Sequence, residues 1–555
     1  MNPTLPLLTT LLLGSACLVA ACSAGSDANE TQTTSGAGAM SAGGSHAGGT
    51  GTGGLSLGGQ GGTTPPGPVC KVTDSNPDAL PPCQEQAPPN SFQPEIQWTW
   101  TAPTNASGYS GVIVTPLVGN FTDDNGDGDV DLCDIPDVIV TSLDSIPAPP
   151  GTGTITMLNG ANGTVEATFQ APVDPSIAPA FADIDHDGLP EVVAATPDYH
   201  LRAFAHDGSV KWTNATVGGW TANINSYCTA IELYDLEGDG NVEIIIAFEV
   251  YDSQGNLKWG IPGNGAQYPG ESYWCPTATA ADLDGDGKLE VLFGHGAYRA
   301  NGTLYWEVPG INPGHPHVAD FDGDGEPEVL WTTDAGITVV EADGTLKFGP
   351  VRPTDPGISS RCWGKPGVVH DFDGDGHPEF ATGSCSDYSM YKIGATATPV
   401  WSAGVSDQSG LATGTAFDFL GDGTADAIYA DELTAYVFDG ATGASEMTTP
   451  RTSGTLIEYP IVVDVDNDGS AEFIVPSNYG AIGDPSGPGI TVWRDAQDRW
   501  IQARRIWNQH AYHVTNVRED GVIPQVMPKN WKLLNTFRTN SQIGDTGDCV
   551  PPPPN

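Results

Sequence analysis

The sequence predicts an all-β fold, a β-propeller of about eight four-stranded blades, with seven as the alternative if one acidic loop is embedded in an irregular blade. Three observations lead there. Acidic loops open at Asp123, Asp183, Asp235, Asp282, Asp320, Asp371, Asp418 and Asp464, from 38 to 60 residues apart, which is the period of one blade. Each is followed by an acidic residue that opens a β-branched run, as in Glu243-Ile244-Ile245-Ile246. Between the loops a tight turn recurs ahead of a strand that ends in an aromatic residue.

The turn signals are His206-Asp207-Gly208-Ser209-Val210-Lys211-Trp212, Ser253-Gln254-Gly255-Asn256-Leu257-Lys258-Trp259, Ala300-Asn301-Gly302-Thr303-Leu304-Tyr305-Trp306 and Ala342-Asp343-Gly344-Thr345-Leu346-Lys347-Phe348. Asn-Gly and Asp-Gly favour hairpins because both turn positions tolerate positive φ. Each repeat therefore reads strand, acidic loop, strand, connector, strand, glycine turn, strand, which is one four-stranded blade. Glu95-Ile96-Gln97-Trp98-Thr99-Trp100 reads as a lone final strand that completes the last blade and closes the ring, removing an exposed sheet edge.

Ahead of the repeats, residues 1–22 read as an export signal, since the apolar run from Leu7 to Ala20 is broken by Thr9, Thr10, Gly14 and Ser15. Its end, Leu18-Val19-Ala20-Ala21-Cys22, resembles a bacterial lipobox, although no Lys or Arg precedes it. The resemblance implies a lipid on Cys22, and Ser23 after it implies the outer membrane or cell surface. Residues 23–69, dominated by Gly, Ser, Thr and Ala, bury too little to fold and form a tether of about 35 to 40 Å reach. A Cys/Pro-rich lead-in covers 70–93, the propeller 94–490, and a short, partly helical extension with a Pro-rich tail 491–555. Asp498 is the expected cap of a helix through Ala503 and Trp507.

Of ten cysteines, eight follow Cys22, an even number that in an exported chain favours disulfides over zinc, all the more because no CxxC pair occurs. Cys228 and Cys275 each stand seven residues before a loop aspartate, so adjacent blades are bridged if their Cα atoms come within about 7 Å. Cys362 and Cys385 flank one loop. Cys70, Cys83, Cys133 and Cys549 are left to tie the termini, with their connectivity open.

The formal charge of −49, from 69 acidic and 20 basic residues, makes nucleic acid and anionic lipid repulsive partners unless it is neutralised, so no nucleic-acid partner is expected, membrane contact is expected through the lipid anchor only, and a cation sink is called for. The loops supply one. Their candidate ligands are Asp183, Asp185, Asp187 and Glu191; Asp235, Glu237, Asp239 and Glu243; Asp282, Asp284, Asp286 and Glu290; Asp320, Asp322, Asp324 and Glu328; Asp371, Asp373, Asp375 and Glu379; and Asp464, Asp466, Asp468 and Glu472. Carboxylates at positions 1, 3 and 5 converge where the backbone curls at the position-6 glycine, and the acid at position 9 closes the shell. Hard oxygen donors on a pliable loop suit Ca²⁺ better than Mg²⁺. Two copies deviate. In Asp418, Asp422 and Asp426, Leu420 replaces the position-3 ligand, and in Asp123, Asn125, Asp127 and Asp131 the alternatives of Asp131 or Asp137 for closing the shell stay open. Position 12 is Ala194, Phe293, Trp331 or Thr382 in the clearest copies and the flanks are strand-like, which argues against EF-hands.

This pattern resembles the FG-GAP or VCBS repeat family, including the calcium-bearing blades of integrin α-chain propellers, over about residues 94–485. The resemblance implies a propeller stapled by several calcium ions and a role in cell-surface adhesion or recognition of an extracellular glycan or protein. Some members carry polysaccharide lyase activity, so a propeller-type lyase or glycoside hydrolase is the alternative. No HExxH, GxSxG or P-loop string is present, and the pairs His315/His317 and His510/His513 lack a third partner in the sequence. Residues 490–540 hold eight of the 20 basic residues, among them Arg494, Arg504, Arg505 and Arg538, interleaved with aromatics. They read as a ligand platform or, preferably, as a segment packed on the propeller with its arginines paired to acids.

Overall fold

The computed structural model describes residues 70–72, 87–88, 91–103, 111–143, 151–221, 228–261, 275, 277–354, 357, 362–407, 412–478 and 489–540. The export signal with Cys22, the tether, Cys83, Cys549 and the Pro-rich tail lie outside the described residues, as does most of the lead-in. Among the described residues no helix is long and apolar enough to cross a membrane.

Each repeat folds by one local rule. A short buried strand such as Ala180–Ala182 runs into the acidic loop, and the loop returns the chain so that Glu191 stands opposite Ala182 at the head of the next strand, Glu191–Ala195. Two further antiparallel strands, here Leu201–Phe204 and Val210–Thr213, complete the sheet. Eight such sheets form, so the structure selects eight blades over seven. Blade 3 gains a two-residue parallel strand, Ile177–Ala178, beside its first strand Thr229–Tyr234. Blade 8 is built from both ends of the ring: Pro94–Trp100 pairs antiparallel with Ile490–Asp495. That last strand runs past residue 490.

The aromatic that ends a blade explains the glycine turn that follows it. Trp212 of blade 2 lies over the turn of blade 3, where a Cβ on Gly255 would come within 2.8 Å of its ring, and Gly255 also has positive φ. Trp259 repeats the contact on Gly302 of blade 4 and donates its indole N–H to Ala300 O at 2.8 Å. Trp98, on the strand contributed by the N-terminal side, does the same at the closure, donating to Gly160 O of blade 1. The closing contact is thus made with the same chemistry as the others.

Disulfides add covalent ties. Cys228–Cys275 joins blades 3 and 4 with Cα atoms 4.9 Å apart, Cys362–Cys385 closes around the loop of blade 6, and Cys70 pairs with Cys133.

The first strands of neighbouring blades adjoin one another and form the inner wall of the ring. Across their inner edges lies the segment after Asp495, and it touches all eight blades. Trp507 exchanges backbone hydrogen bonds with Val118 of blade 1 at 2.9 and 3.0 Å, and Phe181 of blade 2 donates to Asn508 O at 2.9 Å. In blade 3, Glu232 accepts the Ala511 N–H and Leu233 donates to Gln509 Oε1. Arg538 reaches Thr277 before the first strand of blade 4 and His317 Nε2 of blade 5. Phe537 exchanges backbone bonds with Val369 of blade 6, Arg538 O accepts from Thr415 of blade 7, and Asn540 donates to Val462 O of blade 8.

The expected helix is absent here. Asp498 has a φ of 51°, a left-handed turn that an N-cap residue does not adopt, and the backbone groups that a helix would pair internally go to the blades instead. Among the described residues of this segment only single 3₁₀ turns, Val514–Asn516 and Asn530–Lys532, occur. Arg504 and Arg505 are buried and share Glu519, whose Oε2 and Oε1 lie 3.0 and 3.1 Å from their Nε atoms.

Both histidine pairs end up in this packed centre. Burial, then the charge of Arg538, holds His315, His317 and His510 well below the ordinary imidazole range. Burial lowers His513 to about 4, and its ring stacks on Phe537 at 5.5 Å. A neutral folded histidine that charges at about 6.5 when unfolded adds stability above that pH, and the contribution is lost as pH falls toward 4. The His513 contribution is about 3 kcal/mol at its limit. Replacing it by His513→Phe keeps the stack, so the loss in urea stability between pH 7 and pH 4.5 is expected to shrink by about 2 kcal/mol relative to the parent. Equal losses in both proteins would contradict this.

Candidate metal centres

Each acidic loop is pre-shaped by its own backbone. In the loops other than that of blade 4 the position-1 aspartate accepts the N–H of the position-6 glycine, as Gly188 to Asp183 Oδ2 at 3.1 Å and Gly325 to Asp320 Oδ2 at 2.8 Å. The position-9 glutamate uses Oε2 to accept the position-2 N–H, for example Phe321 to Glu328 at 2.8 Å and Val465 to Glu472 at 2.9 Å. Its other oxygen, Oε1, is left for the loop interior.

Positions 1, 3 and 9 come together. Asp183, Asp185 and Glu191; Asp282, Asp284 and Glu290; Asp320, Asp322 and Glu328; and Asp371, Asp373 and Glu379 each place carboxylate oxygens within 4.8 Å of one another, close enough to hold a metal ion. The position-5 residues stand further out. Asp187, Asp286, Asp324 and Asp375 are exposed and use one oxygen to accept the position-7 N–H.

Burial, against the pull of nearby lysine or arginine, raises Glu191, Glu290, Glu328 and Glu379 to about 7. Glu243 rises to about 8 for the same reason. In blade 8, Asp464 and Glu472 are fully buried and lie well above the carboxylate range, first from burial and then from mutual repulsion with Asp466 and Asp468. Glu472 Oε1 is buried with no hydrogen-bond partner, the mark of a carboxylate oxygen shaped for a cation.

The deviating loops separate. In blade 7, Leu420 leaves the loop one oxygen short, and Asp426 is raised by burial and then by Glu446. In blade 1, Asp137 stands opposite Gly119, the register that Glu191 holds opposite Ala182, and accepts the Phe121 N–H at 2.8 Å. Burial and Glu166 raise it to about 9. Asp137 therefore takes the place of the strand-opening acid, and the residues between form a separate twelve-residue loop. In that loop Asp123 accepts from Gly126, Asp127 and Gly128, and Asp131 accepts from Cys133. The buried Asp134 accepts from Asn125 at 3.1 Å and Asp131 at 2.8 Å. Asp134 lies at position 12, where an EF-hand places its closing acid, so this one copy has the EF-hand spacing. Sequence reasoning passed over Asp134 by testing position 12 only in the four most regular copies.

Also missed were the basic residues that reach the loops: Lys211, Lys258, Arg299, Lys347 and Lys392. Their signal was available, because Lys211, Lys258 and Lys347 each stand one residue before the aromatic of the repeating turn motif.

Segments 183–246 and 320–382 match the family model described as FG-GAP-like repeat, and these are blades 2 to 3 and 5 to 6. The chain carries FG-GAP-like repeats in these two places. Among solved structures, the ring is similar to the V. cholerae biofilm matrix protein Bap1, with a TM-score of 0.67 and 21% identity over 81% of this chain and 99% of that one. It also aligns with the rhamnogalacturonan lyase YesW, with a TM-score of 0.48 and 17% identity over 81% of each chain. A Bacillus licheniformis rhamnogalacturonan lyase gives 0.49 and 16% over 80% of this chain and 82% of that one. No curated protein sequence matches the chain.

Proposed function

We propose that the chain is a calcium-binding cell-surface recognition or adhesion protein that presents its propeller to an extracellular glycan or protein. The observation that carries this reading is the recurrence of preformed carboxylate loops around an eight-bladed ring whose inner edges are covered by the segment after Asp495. Calcium fits the all-oxygen donor sets and the unpartnered Glu472 Oε1. When bound, the ion neutralises the loops; the chain's own residues fix the blades and leave the outer surface for recognition.

The similarity to a biofilm matrix protein supports an adhesive role, and the disulfides suit an oxidising compartment. A lipid on Cys22 would hold the protein at the outer membrane or cell surface. A cleft of about 640 Å³ between blades 1 and 2, lined by Lys71, Asp129, Asp187 and His206 together with Phe181 and Leu189, combines donors and acceptors for sugar hydroxyls with apolar surface for a ring face.

The test is a panel of polysaccharides and cell-surface proteins offered to the tether-free chain in calcium and in chelator. Calcium-dependent retention without reducing ends or unsaturated products is the expected result. Sustained product release would replace this reading with a lyase or hydrolase.

A further inference from the structure

The cleft of about 640 Å³ between blades 1 and 2 draws its lining from distant parts of the chain: residues 70–72, the acidic loops of both blades, and Glu519, Asp520 and Gly521 of the C-terminal segment. Small-ligand sites span roughly 300–1,000 Å³, so its size suits a short saccharide. The 70–72 part is fixed in place, because Cys70 is disulfide-bonded to Cys133 and its carbonyl accepts the Leu132 N–H at 3.0 Å.

Acceptors dominate the polar lining. Asp129, Asp131, Asp187 and Asp520 bring carboxylates, against the ammonium of Lys71 and the imidazole of His206. Glu519 also lines the cleft, but its oxygens are taken by Arg504 and Arg505. Lys71 marks a place that an ammonium takes, 3.3 Å from Asp129 and 3.9 Å from Asp131. The Lys71 and Asp129 side chains are 66% and 68% exposed, so this pair is weak and an incoming cation can displace the lysine. Asn120 adds a deeper acceptor. Its Oδ1 is buried with no hydrogen-bond partner, and a buried acceptor in that state is costly until a donor reaches it. Val130, Leu189 and Pro190 supply apolar surface beside these groups.

A ligand that suits this lining brings positive charge and hydrogen-bond donors together. A uronate does the reverse, because it sets its own carboxylate against those of the cleft. An unacetylated 2-amino sugar carries an ammonium and several hydroxyl donors on one rigid ring, so it meets a carboxylate and the Asn120 amide with little ordering entropy. A lysine side chain offers a single ammonium on a pliable stem and leaves Asn120 unmet.

We propose that the cleft between blades 1 and 2 is a saccharide site selective for unacetylated amino sugars, in which the sugar ammonium displaces Lys71 from Asp129 and a sugar hydroxyl donates to Asn120 Oδ1. This names the ligand class for the recognition reading above and rests on it.

Isothermal titration calorimetry on the full chain in calcium compares glucosamine oligomers with N-acetylglucosamine and galacturonate oligomers of the same length and with oligolysine. Glucosamine oligomers are expected to bind, the N-acetylated ones about tenfold more weakly, and the galacturonate ones not at all. Asp129→Asn is expected to weaken glucosamine binding about tenfold, whereas Lys71→Met strengthens it, an opposite sign that general damage to the fold does not produce. Asn120→Ala weakens binding of both hexosamine oligomers alike, because it removes a hydroxyl contact. Equal affinity for the two hexosamines, or a glucosamine affinity unmoved by Asp129→Asn and Lys71→Met, overturns the proposal. Oligolysine bound as tightly, and lost in Asp129→Asn, assigns the cleft to basic peptides and overturns it too. If glucosamine oligomers fail while another polysaccharide or a protein of the panel is retained, this proposal falls and the recognition reading stands; if nothing in the panel is retained, that reading falls as well.

Discussion

A chain ended after Asp495 is expected to lose its cooperative fold altogether, although every residue of the eight sheets is still present. The reason is where the removed segment sits. The first strands Leu117–Gly119, Ala180–Ala182, Val368–His370 and Ile461–Val463 are short, buried and unpaired by sheet on their inner edges. The segment 496–540 supplies those edges with partners and buries Ile506, Trp507, Tyr512 and Phe537 against them. Without it, inner-edge N–H and C=O groups and a large apolar surface face the channel, and each unsatisfied buried polar group costs roughly 1–3 kcal/mol. Total stability of a domain is about 5–15 kcal/mol, so a few such groups suffice to unfold it.

A single substitution gives the same argument a magnitude. Glu519 is buried and serves both Arg504 and Arg505, which also bond to Val514 O, Val517 O and Leu132 O. In Glu519→Gln the two guanidinium groups keep their buried positions and lose the carboxylate they share, and loss of one partner of a buried ion pair costs about 3–5 kcal/mol. The urea midpoint should fall accordingly with the slope unchanged. A truncated chain that still unfolds cooperatively, or a Glu519→Gln variant as stable as the parent, would show that the segment merely rests on the ring.

The contrast between blades and core segment also says what the sequence can reveal. The loops were readable because their chemistry is local: an aspartate that caps the position-6 N–H and a glutamate that ties back seven residues act within one turn of chain. The closing strand was readable because the Gln97-Trp98 pair repeats the outer-strand pattern. The segment after Asp495 has no period at all, since its residues are chosen one by one to meet eight different inner strands, as Asn508 meets Phe181 and Thr415 meets Arg538. A capping aspartate there suggested a helix, but tertiary pairing overrode the local preference. Asp134 was legible in its spacing, whereas the engagement of Lys392 with the blade 6 loop was not, because it lies on the third strand and off the turn motif.

Calcium removal is the second large effect. Chelation is expected to lower the melting temperature by several degrees, with calcium restoring it and magnesium restoring less. An ion that binds only the folded ring stabilises it by about 2.7 kcal/mol at a hundred times its dissociation constant, for every loop that holds one. Magnesium is at a disadvantage because the Asp464, Asp466, Asp468 and Glu472 oxygens come from a curled loop and a strand start, a set that tolerates longer and less regular bonds than a tight octahedron allows. The pH dependence has a defined sign. Ligand carboxylates must be ionised to bind the ion, so calcium uptake releases protons, and the gap between the melting curves in calcium and in chelator widens as pH rises. Burial and mutual repulsion raise Asp464 and Glu472 in the metal-free fold, and acids so raised contribute stability at low pH that is lost as pH rises. The chelated protein therefore weakens over the range in which the loaded one is held. Calorimetry at pH 6 and pH 8 in both conditions measures the two gaps, and melting curves that coincide with and without chelator would remove the ions from the account of this fold.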